Sequence, residues 1–316
     1  QEELNVVLAN TLKYEVLKKY SDNAQAYQGK DKFFDSYALF LDAVENSPKR
    51  VNHYFYVADQ VKKILPDDRS ACIEKVFSFQ GKEYRLIKDR KTIELSFNEK
   101  YYFIKTHAGV GWHEIIKNLC YFRPAVLGAK NEFRALRYLS DKSISVPKLV
   151  AYASKGNNPA SKKSFVMMEK VIHQLTLEDL VLQKVKLSFC FKRSLIKRVA
   201  QMVREMHQAG VNHRDCYLCH FLLNKRSESD FDLPLIDWHR ADIRNKVPRR
   251  WLEKDLAGLY FSAMDAQLTR NDKLYFVRHY HQLPLKKFVK KHSALWRTIE
   301  KKAAQLYGRF HVYSSL

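Results

Sequence analysis

The 316-residue chain carries 56 Lys and Arg against 34 Asp and Glu, a net charge of +22, with 46% hydrophobic and 13% aromatic residues. This composition excludes a disordered chain, and no apolar run reaches the roughly 18 to 20 residues that cross a bilayer. Residues 1–65 hold nine basic and nine acidic residues, so the whole surplus lies in 66–316 and calls for an anionic partner: a phospholipid surface, a phosphorylated glycan, nucleic acid or an acidic protein.

In chain order, Leu4, Leu8, Leu12 and Val16 recur at helical spacing. Phe33, Phe34, Tyr37, Phe40, Leu41 and Val44 form a cleaner stripe that stops at Ser47-Pro48. Residues 1–65 therefore read as an appended helical extension without chemistry of its own. From Ser70 the texture changes. Cys72–Phe79, Lys82–Lys88, Ile93–Asn98 and Lys100–Thr106 are short, rich in Val, Ile, Tyr and Phe, and read as strands of an antiparallel sheet. Ala129–Ser140 is helical, with Phe133, Leu136 and Leu139 on one face and Glu132 on the opposite shoulder. Val146–Val150 and Ser164–Glu169 read as two more strands.

A Thr cap with Glu178 and Asp179 in the first turn opens a helix that runs to Leu187. Ser188–Gln208 is the strongest helix of the chain: Phe191, Leu195, Val199, Met202, Val203 and Met206 share a face, and Gly210 ends it. Beyond Asp237 the pattern is again helical, over Arg250–Met264, Asn271–His281 and Leu285–Tyr307. Basic residues cluster at Arg240, Arg244, Lys246, Arg249 and Arg250, and again along the last helix beside Phe288, Leu295 and Trp296. The first cluster is the better candidate for anionic substrate groups; the second, interleaved with aromatics, also suits an anionic membrane surface.

The chemistry concentrates where that strongest helix ends. His213-Arg214-Asp215 is followed by Phe221-Leu222-Leu223, a short turn and Pro234-Leu235-Ile236-Asp237. This is the order of parts in a kinase centre, where one carboxylate meets the acceptor hydroxyl and another holds the metal on the ATP phosphates. Asp215 fits the first role and Asp237 the second. Lys105, closing the strand Tyr101–Lys105, fits the lysine that grips the phosphates. Glu132 is its expected helix partner, with Glu114 as runner-up. Glu169-Lys170-Val171 fits a hinge that contacts adenine through its backbone. Cys216-x-x-Cys219-His220 also has the spacing of a c-type haem attachment, and with His213 it can be written as a zinc set. Haem attachment requires export, whereas five irregularly spaced cysteines fit a reducing compartment, and a zinc set would crowd four ligands into eight residues.

The blocks Val211–Leu223, Ile236–Ala241 and Val247–Leu256, with Glu114–Leu119, Pro124–Ala129 and Asn131–Phe133, resemble the lipopolysaccharide core heptose-I kinases of Gram-negative bacteria, the WaaP or RfaP family. The resemblance spans roughly residues 70–310 and leaves 1–65 outside. It implies an α+β, two-lobed protein-kinase-like fold: a small antiparallel-sheet lobe over 66–171 and a larger helical lobe over 172–316. It implies ATP and Mg2+ as cofactors, the first heptose of the inner core as acceptor, and a peripheral location on the cytoplasmic face of the inner membrane. It also implies acyl carrier protein as a partner. Carried over by motif, Asp215 with His213 and Arg214 is catalytic, Lys105 and Glu132 position the phosphates, and Asp237 binds magnesium.

Three features depart from protein kinases. His220 stands where they have the Asn ligand of the second metal. His239 lies two positions beyond the metal Asp, where they have Gly. Gly81 is the only glycine between 66 and 107, so there is no Gly-rich phosphate loop; Arg90 and Lys91 are expected to cover the phosphates with side chains instead. Rival readings are a Ser/Thr/Tyr protein kinase, a silent kinase-like module on an anionic surface, and a nucleic-acid binder. The last has only the charge in its favour, so no nucleic acid is expected.

Overall fold

The computed structural model describes residues 55–87, 90–120 and 126–314. The two helices expected at 1–20 and 33–44 lie outside the described residues. The small lobe is built on a six-stranded antiparallel sheet in the order β1-β5-β6-β4-β3-β2. Its strands are β1 (Phe55–Val57), β2 (Lys82–Ile87), β3 (Arg90–Phe97), β4 (Lys100–His107), β5 (Leu149–Lys155) and β6 (Lys163–Glu169). β1 pairs with β5, Tyr56 opposite Tyr152, so the sheet begins inside the stretch read from sequence as the extension.

Residues 72–79, expected as a strand, instead lie in helix α1 (Arg69–Ser78) and at its end. The Asp68 side chain caps it by accepting from the Ala71 N–H at 2.8 Å, and Cys72, Ile73 and Val76 turn inward together. Their β-branched content suited either structure; the cap and the i, i+1, i+4 spacing decide for the helix. α1 covers one face of the sheet, packing on Ile93, Tyr102, Ile104, Ala153, Phe165 and Met167.

The opposite sheet face meets helix α3 (Lys130–Asp141), which follows α2 (Gly111–Cys120). Phe133 stacks on Tyr152 at 4.0 Å between ring centroids. Leu136 and Leu139 are fully buried beside it; each such side chain contributes about 1.5–3 kcal/mol. From α3 the same apolar cluster runs without interruption into the large lobe through Phe191, Met202, Phe221 and Trp238.

In the large lobe, β7 (Leu175–Thr176) leads into α4 (Leu177–Leu182), opened by a capping box between Thr176 and Asp179. This helix is shorter than expected; the chain leaves it before Leu187. α5 (Phe189–Gln208) starts from a Ser188 cap and buries the face read from its periodicity. Gly210 follows with φ of +78°, and a Cβ there would lie 1.8 Å from the Arg244 carbonyl oxygen. Only glycine fits, because the short pair β8 (Val211–Asn212) and β11 (Asp242–Ile243) runs close beside it. Between them lie β9 (Leu222–Lys225) and β10 (Phe231–Asp232). The chain then closes with α6 (Arg249–Ser262), α7 (Arg270–His281) and α8 (Leu285–Ser314).

Candidate active site

β4 alternates its side chains across the sheet. Tyr102 and Ile104 enter the layer under α1, while Phe103, Lys105 and His107 face α3 and the cleft. Lys105 is thereby aimed at the large lobe, and its Nζ lies 2.7 Å from Glu132 Oε1 on α3 and 2.7 Å from Asp237 Oδ1. Burial works against its charge, but the two carboxylates outweigh that and raise its pKa. Of the two carboxylates considered for Lys105, Glu132 is the one in contact; the Glu114 side chain lies outside the described residues.

Asp237 has a left-handed backbone, φ 67° and ψ 57°, at the start of the 3₁₀ turn Trp238–Arg240. Arg214 is left-handed as well, at φ 72°. Two non-glycine residues in this region mark stored strain of the kind found at functional sites. Asp237 Oδ1 also accepts from His239 Nδ1 at 3.0 Å. Burial alone would raise its pKa; the His239 hydrogen bond and the charge of Lys105 hold it well below the usual carboxylate range.

His220 Nδ1 lies 2.7 Å from the Asp215 carbonyl oxygen. A carbonyl only accepts, so Nδ1 carries a proton. Nε2 lies 3.7 Å from Asp237 Oδ2. With the ring neutral, one carboxylate and one imidazole face the same point; magnesium favours the carboxylate oxygen of such a pair. The flanking Cys216 and Cys219 point elsewhere in chemistry. Burial pushes the Cys219 thiol up to about 11 and the Cys216 thiol well above its ordinary value, which opposes the thiolate form that zinc requires.

Asp215 sits between the lobes with its carboxylate held by Arg240, Nη1 lying 3.0 Å from Oδ1 and 3.3 Å from Oδ2. The two residues before it, expected to be catalytic with Asp215, are both engaged in the support of the loop. His213 is fully buried, lies tilted against the Trp238 ring and donates from Nε2 to the Ile236 carbonyl at 2.9 Å. Arg214 pairs with Asp242 at 3.2 Å and lies over the Trp251 ring. Both shape the loop through these contacts.

The loop backbone hangs on a residue that the sequence did not single out. Asp255, fully buried on α6, accepts from the His213 N–H at 2.8 Å and the Arg214 N–H at 2.6 Å. His207 from α5 approaches the same carboxylate at 3.3 Å. The local signal was slight: one acidic residue in an apolar helix segment, Asp255-Leu256-Ala257.

Arg90 and Lys91 were expected to act together, but neighbouring strand residues face opposite ways. Arg90 pairs with His107 in the ladder and lies on the Lys105 face, its guanidinium donating to the Val126 carbonyl at 3.0 Å. Lys91 lies on the face under α1, 2.6 Å from Glu83. Only Arg90 remains a candidate for the phosphates. At the hinge, the Glu169 side chain turns outward to Gln60 and Lys148, and its N–H donates to the Lys148 carbonyl. Val171 offers its N–H, which has no backbone partner among the described residues.

The basic cluster also divides. Arg244 is engaged by Asn212 and Asp242, and Arg249 by Glu253 at 2.8 Å. Arg240 faces Asp215, while Lys246 and Arg250 are exposed. In the last helix Lys302 pairs with Glu253 at 2.6 Å, and the side chains of Lys286, Lys290 and Lys291 lie outside the described residues.

Two buried histidines tie this site to pH. Burial holds His213 down to about 4; burial, then Arg90 and Lys105, holds His107 down to about 3. Both stay neutral in the folded protein, while an unfolded histidine takes up a proton near pH 6.5. Stability from this source is therefore complete above pH 6.5 and lost on acidification toward 4, by up to about 1.4 kcal/mol per pH unit for each histidine. Thermal melting from pH 7 to pH 5 is expected to show a falling Tm; an unchanged Tm would place the protons elsewhere.

The sequence matches the lipopolysaccharide kinase (Kdo/WaaP) family over residues 74–280. It is 43% identical over 248 residues to the lipopolysaccharide core heptose(I) kinase WaaP of Pseudomonas aeruginosa, covering 77% of this chain and 92% of that protein. The corresponding Escherichia coli K12 enzyme is 41% identical over 249 residues, covering 74% and 91%. Among solved structures, WaaP in complex with acyl carrier protein aligns with a TM-score of 0.69 and 37% identity, over 80% of this chain and 99% of that one.

Proposed function

The chain belongs to the lipopolysaccharide kinase (Kdo/WaaP) family, and from that membership we propose an ATP-dependent kinase that phosphorylates the first heptose of the lipopolysaccharide inner core. The observation that carries the reading is the Lys105 ammonium held at 2.7 Å by both Glu132 and Asp237, with Asp215 on the adjoining loop. Lys105 is positioned to meet the nucleotide phosphates, and Glu132 fixes its direction. The Glu169–Val171 segment meets adenine through its backbone, and Arg90 approaches the phosphates from the same sheet face.

Asp215 takes the acceptor side: it orients the heptose hydroxyl and receives its proton, with Arg240 aiming the carboxylate. Asp237 and His220 would hold a magnesium ion, which when bound neutralises charge on the phosphates. His213, Arg214 and Asp255 keep the loop in register. Among the described residues no helix is long and apolar enough to cross a membrane. The net charge of +22 suits peripheral attachment to the anionic cytoplasmic face of the inner membrane, where the acceptor is anchored. The same charge, with the solved complex of a relative, supports acyl carrier protein as a partner.

The test is transfer of label from ATP to purified, dephosphorylated heptose-containing lipopolysaccharide in the presence of Mg2+, with Asp237→Ala alongside. Label in the glycolipid, lost in the variant, is expected. Label in protein alone would move the assignment to a protein kinase, and none at all, with ATP still bound, to a silent module.

A further inference from the structure

The turn that follows Asp237 sends its side chains to different places. Trp238 goes into the core, where it is fully buried and its Nε1 donates to the Leu235 carbonyl at 2.8 Å. Arg240 reaches across to Asp215. His239, between them, folds back on Asp237, its Nδ1 lying 3.0 Å from Oδ1. The left-handed backbone of Asp237 supplies the reversal, and the Ala241 N–H closes the turn on the Trp238 carbonyl at 2.9 Å. An ionised carboxylate only accepts, so His239 Nδ1 carries a proton and donates it.

A carboxylate turns easily about its last torsion, whose wells are broad and two-fold. Two donors converge on Asp237 Oδ1, Lys105 Nζ at 2.7 Å and His239 Nδ1 at 3.0 Å, and leave Oδ2 facing His220 Nε2 across 3.7 Å. The donors differ in permanence. Lys105 ends a flexible four-carbon stem, and nucleotide phosphates attract its ammonium. His239 is a short, rigid ring two residues from Asp237, next to the buried anchor of Trp238. When the ammonium turns to phosphate, His239 is the donor that stays. Burial alone would raise the Asp237 pKa, and the His239 hydrogen bond is the largest of the contacts that oppose it.

We propose that His239 is a positioning residue: by holding Oδ1 of Asp237 it keeps Oδ2 presented to the metal while Lys105 engages the nucleotide. This rests on the kinase reading above and gives a role to the residue that stands where protein kinases have glycine, which has no side chain to donate. His239 acts through Asp237 and not on metal or phosphate directly, as the outer hydrogen-bond partners of metal ligands do.

The experiment is calorimetric titration with a non-hydrolysable ATP analogue, in Mn2+ and again in EDTA, on wild type, His239→Ala, His239→Asn and His239→Gln. The Tm of each nucleotide-free variant checks that it is folded. Asn sets its amide nitrogen near the place of Nδ1, whereas the longer arm of Gln sets it near Nε2. For His239→Ala, the Kd in Mn2+ is expected to rise about ten- to a hundred-fold, with the Kd in EDTA changed by less than about twofold. Asn should recover most of the loss and Gln should not.

An unchanged Kd in Mn2+ for His239→Ala would overturn the proposal. So would equal losses in Mn2+ and EDTA, which would make His239 a general support of the cleft. An Asn variant no better than Ala would also overturn it, and recovery by Gln alone would assign Nε2 as a direct ligand. The kinase reading stands or falls separately, on label transfer by wild type. Wild type that binds the analogue equally in Mn2+ and EDTA would remove the metal assignment of Asp237, and the role of His239 with it.

Discussion

Asp215→Asn is expected to lower kcat about 10²–10⁴-fold, the range for removing a positioned general base, while ATP still raises the Tm of the variant. The separation follows from geometry. Asp215 contacts Arg240 and lends its backbone carbonyl to His220, but Lys105, the lysine proposed to meet the phosphates, is held by Glu132 and Asp237. Asn preserves the shape but loses the ability to receive the proton, together with the charge and one of the two oxygens that accept from Arg240. Asp237→Ala, in contrast, should weaken metal-dependent nucleotide binding as well as transfer. Calorimetric titration with ATP and Mg2+ reads the difference directly, and equal loss of ATP affinity in both variants would count against the assigned roles.

Asp255→Ala is expected to cost about 3–5 kcal/mol, the range for removing one partner from a buried charged network. Its carboxylate accepts from two backbone N–H groups, at His213 and Arg214, and meets His207. Truncation leaves those donors in a region closed to water, each unsatisfied group costing about 1–3 kcal/mol. It also removes the contact that holds Arg214 in its left-handed conformation, and relaxation there offsets part of the loss. Against a typical total of about 5–15 kcal/mol, this is a large share of the stability. Urea unfolding measures it through the midpoint, and a loss below about 1 kcal/mol would show that the loop is held by other contacts. Asp255→Asn should fall between, since its single amide oxygen can serve only part of the network.

What could be read from sequence follows from the range of the interactions concerned. α5 was legible because its buried face repeats at 3.6 residues and both ends carry local signals, Ser188 and Gly210. Glu132 was legible because the helix that presents it has a clean apolar face, which left the acidic shoulder conspicuous. α1 was misread because Val, Ile and Phe weigh toward strand, and its cap lies four residues before the stretch taken as a strand. The opposed directions of Arg90 and Lys91 follow from simple strand alternation, but only once the strand is known to start at Arg90. Asp255 belongs to another kind of residue. Its partners lie about 40 residues upstream along the chain, at His213 and Arg214, and nothing local to α6 marks it. The separation of engaged from unengaged arginines in the basic cluster likewise depends on Asn212, Asp242 and Glu253, which only the folded chain brings near.

The Lys105 ammonium spans the two lobes with equal reach, 2.7 Å to a carboxylate of each. Mechanically it is a latch: rotation of one lobe away from the other must break one of these contacts. Lys105→Ala removes both at once and is expected to lower the Tm of the nucleotide-free protein; an unchanged Tm would show that other contacts hold the lobes together.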